Sequence, residues 1–200
     1  LTVSITALGR LPEGSIVRRS GAKPGDRIFV TGTIGDAALG LALRQEPESA
    51  DRWRLSPEAQ AHLRDRYLLP QPRTGAAGAI RKHAHAALDV SDGLFGDMGR
   101  MAKASGVAIR IEASRVPLSP AVATAVAVDP EALRLALCGG DDYEIVAAVP
   151  PGDAEAFARE IRAAGLTVEE IGVAEEGAGV RIDGRDGEPL DLGSGAFHHF

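Results

Sequence analysis

One cysteine, Cys138, stands in 200 residues, which excludes an internal disulfide. No Cys or His lies at metal-ligand spacing around it, so no zinc site is readable, and a reducing, cytoplasmic setting is expected. Basic runs are also missing. With a net charge of −6 and a pI near 5.4, the chain lacks the cationic surface that a phosphate backbone requires, which argues against nucleic acid as a partner. Its longest apolar stretches fall far short of the roughly 20 residues that cross a bilayer, and no charged, apolar, small-residue signal opens it. No membrane partner is expected. Repeats and low-complexity tracts are absent too. What remains is the balance of a globular protein, 44% hydrophobic and 25% charged, long enough for one large domain or for one domain plus a piece of another.

The chain opens on LTVSITALG, where Val3, Ile5 and Ala7 alternate with Ser4 and Thr6 like a strand already under way. This start, without an initiator Met, suggests a fragment. GRLPEGSIVRRSGAKPGD is too broken for regular structure and reads as a join, with a boundary near Ser20. RIFVTGT then predicts a strand, a tight turn and a helix through GDAALGLALRQ. Residues 46–55 read as loop. Ser56-Pro57-Glu58 is a helix start, with a capping hydroxyl, Pro at the first helical position and an acid near the positive dipole end. Helices are further predicted from Arg73, over residues 93–105, 119–127 and 130–138, and through GDAEAFAREIRAAG. Strands are predicted at AALDV, VAIRIEA, DYEIVAAVP, TVEEIGVA, GVRIDG and EPLDL. Interleaved strands and helices imply an α/β (α+β) fold, a mixed β-sheet covered by helices.

The stretch ALDVSDGLFGDMGR concentrates acids after a short apolar strand. Ligands collect beyond the carboxyl ends of strands in open α/β sheets, so Asp89 and Asp92 are placed to offer hard oxygen ligands to Mg²⁺, which binds through one or two carboxylates together with phosphates and water. The Ser91 hydroxyl and the free N–H groups opening the next helix suit a phosphate oxygen. Acids alone would repel a phosphate, so the site is coherent only with a divalent metal. The competing explanation makes Ser91 or Asp92 an ordinary N-cap and Asp97 a solvated charge. It fits Asp89 poorly, because an unpaired buried carboxylate is costly.

A second concentration is LCGGDDYEI, where Gly139 and Gly140 allow close backbone approach and Asp141 and Asp142 can accept from amine or amide donors. Turn chemistry alone accounts for these residues more simply. Arg19, beside Arg18, is a candidate phosphate fork, although paired charges in a linker are usually only solvated. TGTIGD is neither a dinucleotide fingerprint nor a Walker sequence and carries little functional weight. His83 and His85 read as surface. In the closing GAFHHF, Phe197 could stack on a flat heteroaromatic ring or simply fill a hydrophobic groove.

Jointly these places resemble the thiamine-monophosphate kinase family, within the superfamily of aminoimidazole ribonucleotide synthetase, selenophosphate synthetase and a hydrogenase-maturation protein. The matching pieces are RSGAKPGD at 19–26, VTGTxGD at 30–36, LDVSDGL at 88–94, GGDDYE at 139–144 and the closing AFHHF. The resemblance implies ATP-dependent phosphorylation of thiamine monophosphate to thiamine diphosphate, by direct in-line transfer with several Mg²⁺ ions. It implies that Asp89 and Asp92 bind Mg²⁺, that Ser91 and Arg19 contact ATP, and that Asp141 and Phe197 hold the thiamine part. Asp141 stands where the family commonly has Glu, and His198 where Asp is usual. The family's N-terminal half, with its remaining metal ligands and most of a homodimer interface, has no counterpart here. Residues 1–20 are therefore expected to be a remnant of the nucleotide-binding domain and linker, and residues 21–200 the C-terminal α/β domain. Residues 1–9 would be the last strand of the missing half, and the chain alone is expected to be inactive. Other readings are an aminoimidazole ribonucleotide synthetase-like member and a non-catalytic binding or scaffold module.

Overall fold

The computed structural model describes residues 2–193. One mixed sheet of six strands has the order β2-β4-β1-β5-β3-β6. The strands are β1 (Arg27–Thr31), β2 (Ala86–Val90), β3 (Ala108–Glu112), β4 (Glu144–Val149), β5 (Val168–Glu175) and β6 (Gly179–Asp183). All neighbours run antiparallel except β3 and β6, which are parallel. The registers Val90↔Glu144, Val30↔Val146 and Thr31↔Val168 gather the ends of β1 and β2 and the starts of β4 and β5 at one end of the sheet.

Helices cover both faces, as the interleaved pattern predicts. Alternation along β1 divides the core: Ile28 and Val30 pack with Leu94, Met98 and Met101 of α5 (Leu94–Ser105), whereas Phe29 faces Phe157 and Ile161 of α8 (Ala154–Ala163) and Ala79 of α4 (Ala77–His83). A third cluster joins α1 (Asp36–Gln45), α3 (Pro57–Leu68), α6 (Pro120–Val128) and α7 (Pro130–Cys138) around Trp53. The indole Nε1 of Trp53 donates to Asp129 at 2.8 Å. Three of these helices start alike. Ser56, Ser119 and Asp129 each accept a first-turn N–H through the side chain, and each is followed by a proline that has no N–H to lose.

Several expectations need correction. Residues 2–9 form no strand, and Val3, Ile5 and Leu8 are 71%, 88% and 95% exposed. An alternating segment becomes a strand only against a partner, and these residues have none among the described ones. Residues 46–55 are not all loop. They hold a short helix, α2 (Ser49–Arg52), followed by the buried Trp53 and Leu55. EPLDL makes only an isolated bridge, Asp183↔Pro189, because a proline has no N–H to continue a ladder. His83 and His85 are not surface residues. α4 ends at His83, which is buried beside Glu160 at 3.2 Å, and the chain then turns so that the half-buried His85 meets Asp26 at 2.9 Å.

Candidate active site at one end of the sheet

The loop after β2 and the turn before β4 meet at the gathered end of the sheet. Asp141 N–H donates to the Ser91 carbonyl at 2.9 Å, and Tyr143 N–H to the Val90 carbonyl at 2.8 Å. Glycines permit this approach. A Cβ on Gly140 would run into the Ser91 carbonyl oxygen, and one on Gly93, whose φ is +103°, into that of Cys138. Gly140 therefore serves this backbone contact, whereas Gly139 makes room for the Ala38 side chain of α1, and both Asp141 (φ 70°) and Tyr143 (φ 52°) are held in the left-handed region that non-glycine residues seldom occupy.

Asp97 organises the first loop. Its carboxylate accepts the backbone N–H of Ser91 at 3.0 Å and of Asp92 at 2.9 Å, and receives Arg100 Nη1 at 2.5 Å. Arg100 Nη2 reaches Asp92 at 2.5 Å. Asp97 is buried, which raises its pKa against the pull of those hydrogen bonds. Neither alternative reading of this loop survives. Asp97 is not a solvated surface charge, and the N-cap position of α5 is Gly93, with no side-chain cap from Ser91 or Asp92. Asp89 is exposed on the edge strand β2, so it escapes the desolvation cost that sequence reasoning assigned to it.

The acids converge on one phenol. Burial, and then the Asp141, Asp89 and Asp92 carboxylates, raise the pKa of Tyr143, whose hydroxyl donates to Asp141 at 3.2 Å. Asp89 and Tyr143 also line a groove of about 390 Å³ walled by Pro70, Pro72, Ile80 and Ile145, within the range of small-molecule sites. A smaller recess of about 40 Å³ lies between Ser91, Gly139, Gly140 and Asp141 and the α1 residues Ala38 and Leu41.

Behind this surface sits a buried polar layer. Glu144 receives Thr31 Oγ1 at 2.8 Å, Arg66 Nη2 at 2.9 Å and Arg73 Nε at 2.7 Å. Asp142 takes the N–H groups of Gly35 at 2.7 Å and Ala37 at 3.2 Å, which ties the turn to the start of α1. Asp36 accepts from Thr33 and Ser119, both at 2.5 Å. The acids of TGTIGD and the second half of GGDDYE thus hold the scaffold together.

Of the residues singled out in the sequence, Asp89, Ser91, Asp92 and Asp141 are brought to one end of the sheet. Arg19 is exposed and follows Arg18, which bridges Ala86 at the opposite end of β2 from Ser91. Phe197 lies outside the described residues. Tyr143 and Arg100 escaped sequence reasoning, and Asp97 was weighed only as a solvated charge; the three-residue spacing of Asp97 and Arg100 on a helix was the available signal. Among the described residues no group of three or more His, Cys, Asp or Glu side chains is disposed to hold a metal ion. Two carboxylates are nevertheless a fitting partial shell for Mg²⁺, which leaves its other positions to water and phosphate oxygens. One of them, Asp92, already holds a cation in the Arg100 guanidinium.

A mixed sheet between helices, with an acid-bearing loop and a glycine-acid turn meeting at one end, defines the class to which the chain belongs. Residues 23–185 match the family described as AIR synthase related protein, C-terminal domain, and the chain is a member of it. More particularly, it is 46% identical over 198 residues to a thiamine-monophosphate kinase of Caulobacter vibrioides, covering 96% of this chain and 54% of that protein. The crystal structure of thiamine-monophosphate kinase from Stenotrophomonas maltophilia superposes with a TM-score of 0.79 at 36% identity, covering 90% of this chain and 56% of that one. AaThiL complexed with AMPPCP and TMP gives 0.71 at 33% identity, covering 92% and 54%. The chain thus spans little more than half the length of these relatives. Among the described residues, no helix is long and apolar enough to cross a membrane.

Proposed function

We propose that this chain supplies the substrate-side part of an ATP-dependent thiamine-monophosphate kinase, which forms thiamine diphosphate by in-line transfer of the γ-phosphoryl group to the substrate phosphate. The observation that carries this reading is the meeting of the 89–92 loop with the 139–143 turn, in a chain 46% identical to a kinase of that name. The related complex with AMPPCP and TMP supports ATP and thiamine monophosphate as ligands.

In this reading Asp89 and Asp92 hold Mg²⁺ and Ser91 faces the nucleotide, whereas Arg19, next to the start of β2, stands away from them. When bound, Mg²⁺ offsets the repulsion between two phosphate groups and the charge of the transition state. The chain's own residues position. Asp97 fixes the Ser91–Asp92 backbone, and Asp141, held at positive φ by contact with Ser91, presents its carboxylate to the thiamine part together with Phe197. Tyr143 offers an aromatic face beside the groove. No residue here need remove a proton, since the acceptor is already a phosphate oxygen, so binding and orientation are the chain's contribution.

The test is thiamine diphosphate formation by the complete protein containing this chain. Turnover with thiamine monophosphate, ATP and Mg²⁺ is expected, with a raised KM for thiamine monophosphate in Asp141→Ala. Absence of turnover, or turnover only with a ribonucleotide substrate, would refute the assignment. The 200-residue chain alone is expected to form no thiamine diphosphate.

A further inference from the structure

Arg100 reaches Asp92 through Nη2 and Asp97 through Nη1, each at 2.5 Å. Asp97 is buried and its second oxygen is committed to the backbone of Ser91 and Asp92. The guanidinium is thus anchored on one side by an acid that cannot easily move. On the other side it rests on a carboxylate that the proposed function assigns to Mg²⁺. Arg100 is itself two-fifths exposed, with its side chain at 41%. A guanidinium keeps its charge at any pH at which the protein is folded, so Arg100 is a permanent cation beside Asp92. Two cations on one carboxylate repel each other, and a divalent ion must compete with the one already there.

We propose that Arg100 is a positioning residue that serves as an internal counter-cation for Asp92, held in place by Asp97 and occupying that carboxylate until a divalent ion takes it. The proposal rests on the assignment of Asp89 and Asp92 to the metal. In this arrangement the loop keeps its shape in the absence of metal, because Asp92 is neutralised rather than left to repel Asp89 and Asp141. The same contact weakens divalent-cation binding, so the ion is retained chiefly when nucleotide phosphates add their own oxygens.

The test is Mn²⁺ binding to the 200-residue chain, read from the electron paramagnetic resonance signal of the free ion, with Mn²⁺ as the probe. Arg100→Gln is expected to bind Mn²⁺ at least about threefold more tightly than the parent chain, since a like charge leaves the site. Arg100→Lys, which keeps the charge, is expected to stay within about twofold of the parent. Asp92→Asn should weaken binding in both the parent and the Arg100→Gln background. Equal or weaker binding by Arg100→Gln, with Asp92→Asn still weakening it, overturns the counter-cation role and leaves the metal assignment standing. Binding that ignores both Asp89→Asn and Asp92→Asn overturns the metal assignment and this proposal with it, as does an absence of Mn²⁺ binding by Arg100→Gln even when ATP is added to supply phosphate oxygens. Thermal unfolding of each variant separates loss of fold from loss of charge, because a misfolded Arg100→Gln would not gain affinity that depends on Asp92.

Discussion

Arg73 grips Glu144 with two nitrogens, Nε at 2.7 Å and Nη2 at 2.5 Å, while the carboxylate is fully buried. Arg66 shares that carboxylate, and its Nη1 is buried without a partner among the described residues. The Glu144 hydrogen bonds hold the Arg73 pKa above its ordinary value, although burial works against this. Removing the acid would leave two largely buried guanidinium groups without the carboxylate they share. Glu144→Ala is therefore expected to lower stability by about 3–5 kcal/mol, measured by urea unfolding. A loss below about 1 kcal/mol would show that water compensates.

Contact between the loop and the turn depends on Gly140. Gly140→Ala is expected to cost about 1–3 kcal/mol, as overpacking does, because the obstructing Ser91 carbonyl is backbone and cannot rotate away. Gly78→Ala in α4 is the control: a Cβ there meets nothing within 4 Å, and the helix should gain roughly 0.5–1 kcal/mol. Equal effects at the two positions would contradict the packing described between residues 91 and 140.

Asp142 links stability to pH. Burial, and secondarily the neighbouring Asp36 and Glu144, push its pKa from 3.8 up to about 8, against the hydrogen bonds from Gly35 and Ala37. Between those values the folded state keeps a proton that the unfolded chain has released, so this group's contribution to stability falls as pH rises and levels off above about 8. The parent is expected to lose about 1.4 kcal/mol per pH unit relative to Asp142→Asn across that window. Urea titrations at several pH values would read the difference, and parallel slopes would exclude a raised pKa at Asp142.

Asp89 separates function from fold. Because it is exposed on the edge strand, Asp89→Asn should change stability by less than about 0.5 kcal/mol. The same substitution in the complete protein should raise the Mg²⁺ concentration needed for half-maximal turnover. A clear loss of stability would mean that Asp89 has a structural role.

Much was legible in advance because it rests on local chemistry. Ser56-Pro57, Ser119-Pro120 and Asp129-Pro130 announce helix starts through a capping oxygen and a residue with no N–H to lose, and α3, α6 and α7 begin there. Alternation along RIFVT divides Ile28 and Val30 from Phe29, and the two helical layers follow that division. The histidines misled because their surroundings depend on a chain reversal after His83, and residues 2–9 misled because alternation carries no information about whether a partner strand exists.

The acids show the boundary most clearly. By itself the sequence determined where carboxylates and glycines concentrate, since turn geometry and helix starts demand those residue types at those positions. Only the tertiary structure decided which acids face outward and which are consumed inside. Asp89 and Asp141 remain at the surface, Asp97 is committed to the backbone of its own loop, and Asp36, Asp142 and Glu144 are neutralised among buried donors. A carboxylate's role follows from how many donors reach it and how much water is left around it, and elements far apart in the chain supply both.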